Sequence, residues 1–272
     1  MITTYHRPKT LDEALTLLSQ SNRIPLGGGT LLSHASSSLN AGQTVDPVEV
    51  VDLQSIGLDT VKQQGNNLEL GATVTLQRLL ESEHCPPAMK AAIKLEAPLN
   101  IRNAATLAGT LVACDGRSTF AATFLALDAR LEIKCIDPFQ LVEMETESRA
   151  PQAETETVST GEFLSLRAER IKGKLITSIT IPTNVKLSFE YVSRTPADKP
   201  IVCAALAQWN SGRTRLVLGG YGQSPMLAMD GTEANGLDAA ARNAFHEAND
   251  EWASAEYRMD VAAILAKRCL TW

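Results

Sequence analysis

The sequence has few cysteines, and no two of them stand at the spacing of a metal site. The 272-residue chain contains no CxxC pair, so an iron–sulfur or zinc site built by this chain alone is not expected. Its four histidines are equally scattered, and we expect none of them to bind a metal. An odd set of separated thiols is typical of buried free cysteines in a reducing cytoplasm; the five are Cys85, Cys114, Cys135, Cys203 and Cys269.

Long apolar runs and concentrated positive charge are also missing. No apolar run approaches the length of a membrane-spanning helix, and the first ten residues contain no apolar core of a secretory signal. A net charge of −6 without a basic stripe argues against nucleic-acid binding. We therefore expect a cytoplasmic protein with neither a membrane span nor a nucleic-acid partner.

The most informative stretch that is present is a run of three glycines. Residues 23–26 read as a short strand, and Gly27, Gly28 and Gly29 then allow the backbone to turn sharply and present several N–H groups to one point. Thr30 adds a hydroxyl donor. A concave run of amides is typical of a phosphate site. Because the run is neither GxGxxG nor a Walker motif, an ordinary tight turn is the alternative, and the phosphate interpretation needs a second loop of the same kind.

Residues 100–119 supply a candidate for that second loop. Small residues are concentrated here, which indicates that either a ligand or a neighbouring element approaches the backbone closely. Ser118 or Thr119 could cap an apolar helix over residues 120–127, whose N-terminus favours an anion, so ligand contact and helix capping both stay open for these two. Cys114 is more consistent with packing than with redox chemistry. The small residues are Ala104, Ala105, Ala108, Gly109, Ala113 and Gly116.

The rest of the chain divides into segments with different patterns. A capping box at Thr10 opens a helix before the first strand, and Gly65 marks a hairpin. Residues 143–157 are polar and predict an exposed loop. Residues 187–192, 201–209 and 214–218 predict three antiparallel strands, followed by helices over 237–248 and 250–270. In the last helix we expect Tyr257 and Arg258 to be a helix-packing and surface pair.

Four of these stretches together resemble the FAD-binding medium (M) subunit of the molybdenum hydroxylases, the xanthine dehydrogenase and carbon monoxide dehydrogenase family. They are LGGGT at residues 26–30 (family form AGGT), LGAT at 70–73, IRNAATLAG at 101–109 (family form IRNxATxGG) and AEYR at 255–258. Their order and spacing cover nearly the whole chain.

The resemblance implies an α+β fold of the p-cresol methylhydroxylase type. Two α/β subdomains, residues 1–57 and 58–174, would hold FAD between them. A C-terminal domain over residues 175–272 would contain a three-stranded antiparallel sheet and a helical bundle.

The resemblance also implies which residues contact FAD, and it implies no catalytic residue and no metal ligand. Asp115, Ser118 and Thr119 would continue from the second loop toward the ribityl chain and the isoalloxazine, and Ile176 would pack near the ring. Tyr191 and Lys199 are weaker candidates beside the outer face of the ring. The first loop would comprise Leu26, Gly27, Gly28, Gly29, Thr30 and Leu31, and the second would comprise Thr106, Ala108, Gly109 and Thr110.

The sequence departs from the family pattern at four of these positions. Ala108 adds a methyl group where the family has glycine, and Thr110 is shorter than the family's asparagine. Leu31 and Thr119 replace polar and acidic residues. Each lost hydrogen bond is worth roughly 0.5–1.5 kcal/mol, so FAD binding either relies mainly on backbone donors or is reduced or lost.

The resemblance implies an electron-transfer subunit of a larger complex. Molybdopterin and 2Fe-2S clusters would reside only in partner chains, a large molybdopterin-binding subunit and a small iron–sulfur subunit, assembled as a dimer of heterotrimers. Electrons would pass from the clusters through FAD to an acceptor. The alternatives are a flavin-free structural or docking subunit of the same family and a stand-alone FAD oxidoreductase.

Overall fold

A computed structural model of the chain describes residues 2–30, 47–136 and 153–271. Leu31 and residues 143–152 of the predicted loop lie outside the described residues. Within them the fold contains three sheets, each with helices packed on it.

The first sheet is parallel and has the order β1-β3-β2, formed by β1 (Ile2–His6), β2 (Arg23–Leu26) and β3 (Val48–Asp52). Helix α1 (Leu11–Leu18) begins at the predicted cap, where the Thr10 hydroxyl accepts a hydrogen bond from the Glu13 amide over 3.2 Å. Its apolar face is buried against the sheet. The predicted helix, strand and glycine turn are therefore present in that order.

The second sheet is antiparallel, with the order β4-β5-β8-β6-β7. The predicted hairpin joins the first two strands through Gly65, which has a φ of +58°. The five strands are β4 (Val61–Gln64), β5 (Asn67–Gly71), β6 (Arg130–Ile136), β7 (Ala153–Ser159) and β8 (Leu175–Pro182).

The prediction of an exposed loop over residues 143–157 is wrong for residues 153–157, because these belong to β7 and pair with β6. This strand lies at the edge of the sheet, and most of its side chains are exposed. An edge strand of this kind carries no alternation of apolar and polar residues, so its composition resembled that of a loop.

Helices connect and cover this sheet. Helix α6 (Thr119–Ala126) is buried along its whole length and packs against the third sheet as well. The others in the described ranges are α2 (Leu76–Glu81), α3 (Pro87–Glu96), α4 (Leu99–Arg102), α5 (Leu107–Ala113), α7 (Thr160–Ser165) and α8 (Arg167–Arg170).

The third sheet is antiparallel and has four strands in the order β12-β11-β10-β9. The three predicted strands are present as β9 (Val185–Val192), β10 (Val202–Trp209) and β11 (Thr214–Gly219). A fourth strand, β12 (Met226–Gly231), extends the sheet beyond the prediction. Its sequence, MLAMDG, contains no β-branched or aromatic residue and so gave no strand signal.

Two helices, α9 (Leu237–Ala244) and α10 (Ala255–Thr271), cover the third sheet. The expected surface position of Arg258 is wrong, because its side chain is fully buried. Its guanidinium donates to the carbonyl groups of Ala248 and Ala253 and to the carboxylate of Asp250, over 2.7, 3.0 and 2.7 Å. A buried cation with its donors paired in this way is tolerated.

The strand pairing of the second sheet does not coincide with the predicted boundary between the second and third domains. Strand β8, which opens the third predicted segment at Leu175, pairs with β5 and β6 of the second sheet. A division by sheets would therefore fall between β8 and β9, and the boundaries at residues 57 and 174 stay a prediction. No helix in the described part of the chain is long and apolar enough to cross a membrane.

Candidate functional site

A cavity of about 1050 Å³ lies beside the first sheet and α5. This volume is at the upper end of the range of small-molecule and cofactor sites. Both predicted loops line it, as does Ile176 on β8. The predicted residues that line it are Leu26, Gly27, Gly28, Gly29, Thr30, Thr106, Ala108, Gly109, Thr110 and Ile176.

The glycine loop packs directly on the backbone of the second loop. A Cβ atom on Gly28 would lie 1.8 Å from the carbonyl oxygen of Ala104, and one on Gly27 would lie 2.7 Å from Oγ1 of Thr106. No side chain fits between these segments. The two stretches that the sequence analysis placed around one ligand are therefore in contact at the cavity wall.

The glycine loop presents free amide groups to this region. Within the described ranges, the N–H groups of Gly27, Gly28 and Gly29 donate to no other group of the chain. Consecutive unpaired amides of this kind suit an anion with several acceptor oxygens.

The second loop differs from the expectation, because its amides are already bonded within the protein. The Ala108 amide donates to the Ala72 carbonyl over 3.2 Å, and the Gly109 amide donates to the Thr106 hydroxyl over 3.2 Å. Both the amide and the hydroxyl of Thr110 donate to the Thr106 carbonyl. These bonds start α5, so the second loop forms a close-packed wall rather than a second set of free donors.

Thr73 adds a polar group that the sequence analysis did not single out, although it lies in the LGAT stretch. It lines the cavity, is about nine-tenths buried, and its Oγ1 is without a hydrogen-bond partner in the described part of the chain. A buried unpaired hydroxyl is costly. The free amides, the glycine cradle and this hydroxyl together fit a polar, anionic cofactor such as FAD.

Ser118 and Thr119 do not line the cavity. Ser118 is the N-cap of α6, and its hydroxyl donates to Oε2 of Glu96 over 2.9 Å. The Thr119 hydroxyl donates its one hydrogen to the Ala92 carbonyl over 2.7 Å and lies 3.3 Å from the same Glu96 oxygen. The Phe120 amide donates to the same oxygen over 2.9 Å. Glu96 itself lines the cavity, so these residues hold a wall carboxylate in place, and their direct contact with a ligand stays a prediction.

Asp115 also lies outside the lining, but its partner lies within it. The Lys199 ammonium is 3.0 Å from Oδ2 of Asp115 and lines the cavity. Tyr191, the other weaker candidate, is about two-fifths exposed on β9 and is not part of the lining.

Cys114 lines the cavity as a protonated, packed thiol. Burial raises its pKa to about 11, and Nη1 of Arg167 lies 3.2 Å from its sulfur. A thiol with a raised pKa is a poor nucleophile, which agrees with the packing interpretation.

Cationic side chains outnumber carboxylates in the cavity lining. Four cationic side chains line the cavity against two carboxylates in the described ranges. Three of the four are paired with carboxylates outside the lining: Arg23 with Glu49 over 2.7 Å, Lys174 with Glu156 over 3.4 Å and Lys199 with Asp115 over 3.0 Å. The cations are Arg23, Lys172, Lys174 and Lys199, and the carboxylates are Glu96 and Glu154.

Comparison with known proteins identifies a family over most of the chain. The family model described as the FAD binding domain in molybdopterin dehydrogenase matches residues 1–184. Among curated proteins, YgfM of Escherichia coli K12 is 26% identical over 97% of this chain and 94% of its own length. The carbon monoxide dehydrogenase medium chain of Afipia carboxidovorans is 24% identical over 98% of this chain and 94% of its own length.

Solved structures of similar proteins show the same fold. A carbon monoxide dehydrogenase chain from Oligotropha carboxidovorans superposes with a TM-score of 0.78 at 24% identity, covering 98% of this chain and 96% of that one. A quinoline 2-oxidoreductase chain from Pseudomonas putida 86 gives a TM-score of 0.75 at 21% identity, covering 98% and 95%.

Proposed function

The chain belongs to the FAD-binding domain family of the molybdopterin dehydrogenases and is a medium, FAD-binding subunit of the molybdenum hydroxylase type. From that membership we propose that it passes electrons from iron–sulfur clusters of a partner chain, through FAD, to an acceptor. The observation that carries the proposal is the contact of the Gly27–Gly28 backbone with the second loop, beside three free amides.

Each part of the cavity has a role in this proposal. The amides of Gly27, Gly28 and Gly29 hold the diphosphate, because a dianion accepts several N–H donors at once. The close-packed wall at Thr106, with Ala108, Gly109 and Thr110 following it, excludes water from one side. Ile176 on β8 provides an apolar part of the lining.

Redox chemistry is supplied by the flavin when it is bound, and the protein supplies position and electrostatics. The chain itself needs no acid–base residue for this task. Its residues fix the cofactor against the loops and keep a positive lining around an anionic ligand. Substrate oxidation would take place in a different subunit.

The proposed partners are a large molybdopterin-binding subunit and a small iron–sulfur subunit, in a dimer of heterotrimers. In the described ranges no group of three or more His, Cys, Asp or Glu side chains could hold a metal ion. The curated relatives include a medium chain and a medium subunit by name, which supports an assembly with other subunits.

A second candidate is a flavin-free structural subunit of the same family. The bonded amides of the second loop favour it, as do Ala108 and Thr110, whose side chains offer the cavity no free donor to replace the family's asparagine. In that case the fold and the docking surfaces would persist without a cofactor.

A visible spectrum of the purified chain separates the two. We expect flavin absorption near one FAD per chain, or stoichiometric uptake of added FAD measured by quenching of flavin fluorescence. A colourless chain that takes up no FAD would favour the structural subunit. Co-purification with tagged chain tests the partners independently, because a molybdenum-containing chain should be recovered in either case.

A further inference from the structure

Lys199 is held by its backbone as well as by its charge. The Arg117 guanidinium donates to the carbonyl of Lys199, and its Nε donates to the carbonyl of Pro200 over 3.0 Å. The Arg117 amide also donates to Asp115, the partner of the Lys199 ammonium. Because an exposed ion pair alone fixes a side chain weakly, these backbone bonds limit where the ammonium can lie by fixing the Cα atom from which the side chain extends.

The turn that carries Arg117 is fixed by a second turn of the chain. The Gly116 amide donates to the Gly222 carbonyl over 2.9 Å, and a Cβ on Gly116 would lie 1.9 Å from the Tyr221 carbonyl oxygen. The Arg117 backbone is thus immobilised, and its side chain needs only one more contact to be fixed.

That contact is Trp252. The guanidinium carbons of Arg117 and Arg194 each lie 4.5 Å from the centroid of the Trp252 ring. Stacking of this kind contributes about 0.5–1 kcal/mol at an exposed site. Since Arg194 and Lys199 lie at the two ends of the loop 194–200, one ring holds this loop directly at one end and through Arg117 at the other.

The loop bearing Trp252 is anchored in the core. Oδ1 of Asp250 accepts hydrogen bonds from the Trp252 amide over 2.8 Å and from the buried Arg258 over 2.7 Å. Trp252 is about one-third exposed, so removal of its ring should leave this anchor and the core intact.

We propose that Lys199 places a positive charge beside the flavin ring and that Trp252 is the positioning residue for it. The proposal rests on the proposed function, namely FAD binding. Asp115, which pairs with Lys199, lies just beyond α5, and a helix of this length spans about 10 Å. Lys199 lines the cavity at the end of α5 away from Thr106, which contacts Gly27. We therefore assign its ammonium to the flavin ring, which gains negative charge on reduction, and not to the diphosphate.

The first test is the midpoint potential of bound FAD, measured by equilibration with redox dyes. Lys199→Gln should reduce the preference for reduced over oxidised cofactor about tenfold, which is about 30 mV for a two-electron couple. Lys199→Arg should retain most of the potential. Trp252→Ala should shift the potential in the same direction as Lys199→Gln. Tyr257→Ala, which removes an exposed aromatic side chain from α10, should leave it unchanged.

The double variant Lys199→Gln/Trp252→Ala tests whether Trp252 affects the potential through Lys199. If Trp252 acts through the Lys199 ammonium, Trp252→Ala should cause no further shift of the midpoint potential in the Lys199→Gln background. An equal shift in both backgrounds, or an unchanged potential in Lys199→Gln, would overturn the proposal.

Amide hydrogen exchange of the chain without FAD keeps the test independent of the cofactor. Trp252→Ala should raise exchange over residues 194–200, and unchanged exchange would overturn the positioning role. A wild-type chain that takes up no FAD would overturn both the proposed function and the charge beside the ring, whereas raised exchange would still support the contact between Trp252 and the loop.

Discussion

Gly28 packs against the carbonyl group of Ala104, so closely that a Cβ on Gly28 would come within 1.8 Å of that oxygen. Neither partner of this contact can adapt by a side-chain movement, because both are backbone. Any side chain at residue 28 therefore has to separate the two loops that form one wall of the cavity.

We expect Gly28→Ala to abolish or strongly weaken FAD binding. The added methyl group forces a backbone shift that costs about 1–3 kcal/mol, and the shift moves the free amides of residues 27–29 from the second loop. FAD affinity should fall at least about tenfold, and the midpoint of urea unfolding should decrease.

Gly161→Ala is the matched control, because a Cβ at that helical position would meet Leu125 at an ordinary 3.5 Å. It should keep both stability and FAD affinity. If Gly28→Ala bound FAD as well as the wild type, the contact between the loops would not be needed for the site.

Glu96 provides a second prediction, on stability. Its Oε2 is the common acceptor for the Ser118 hydroxyl and the Phe120 amide, and Glu96→Ala leaves these buried donors unpaired. We expect the free energy of unfolding to fall by about 1–3 kcal/mol, measured by urea denaturation.

Ser118→Ala separates this structural role from ligand contact. It removes one donor to Glu96 and the N-cap acceptor of the Ala121 amide, so the free energy of unfolding should fall by about 0.5–2 kcal/mol while FAD affinity changes less than about twofold. A large loss of FAD affinity without a loss of stability would instead support the direct contact with the ribityl chain.

The sequence predicted those features of the site that depend on local chemistry. The glycine turn after a strand and the capped helix at Thr10 follow from residue type and spacing alone, and the structure has both. The adjacency of the two loops followed from the family motifs, not from periodicity.

The features that could not be predicted depend on contacts between distant residues. Whether a loop amide is free depends on its partner, and the Ala108 amide is bonded to Ala72 on a segment that periodicity does not connect to it. Similarly, the burial of Arg258 depends on Asp250 and on carbonyl groups of a loop. Helical spacing gives a charged residue no signal of such partners.

A third prediction concerns acid stability at the contact between the second and third sheets. The Asp230 carboxylate accepts hydrogen bonds from Arg213 and Arg215 over 2.7–2.9 Å, and Asp128 shares both cations. These bonds, the two from Arg213 foremost, hold the pKa of Asp230 below its ordinary value. The carboxylate of Asp230 therefore contributes to the free energy of unfolding above its unfolded-state pKa, and this contribution is lost as the pH falls through its folded-state pKa.

Asp230→Asn should lower the free energy of unfolding by about 1–2 kcal/mol at neutral pH. The difference from the wild type should shrink below about pH 4, where the unfolded aspartate takes up a proton. Urea denaturation at several pH values measures both effects. Asp260→Asn, in the exposed pair with Arg242, should cost little at any pH, and a difference for Asp230→Asn that stayed constant down to about pH 3 would contradict the assignment.

The last prediction restores the family pattern in the second loop. Ala108→Gly keeps the backbone bond to Ala72 and removes a methyl group from the cavity wall, and Thr110→Asn gives α5 a longer side chain with an amide donor. Each recovered hydrogen bond is worth roughly 0.5–1.5 kcal/mol, so the double variant should bind FAD about tenfold more tightly by fluorescence titration. The glycine should also cost up to about 1 kcal/mol of stability.

Ala91→Gly places the same helix-weakening change at an exposed position of α3, outside the cavity lining, and serves as the control. It should lower stability without tightening FAD binding. Tighter binding by the double variant alone would show that Ala108 and Thr110 limit cofactor affinity in this chain. Equal affinity in the double variant and the wild type would mean that the glycine amides already determine FAD binding, because the second loop would then contribute its packed wall and no donor.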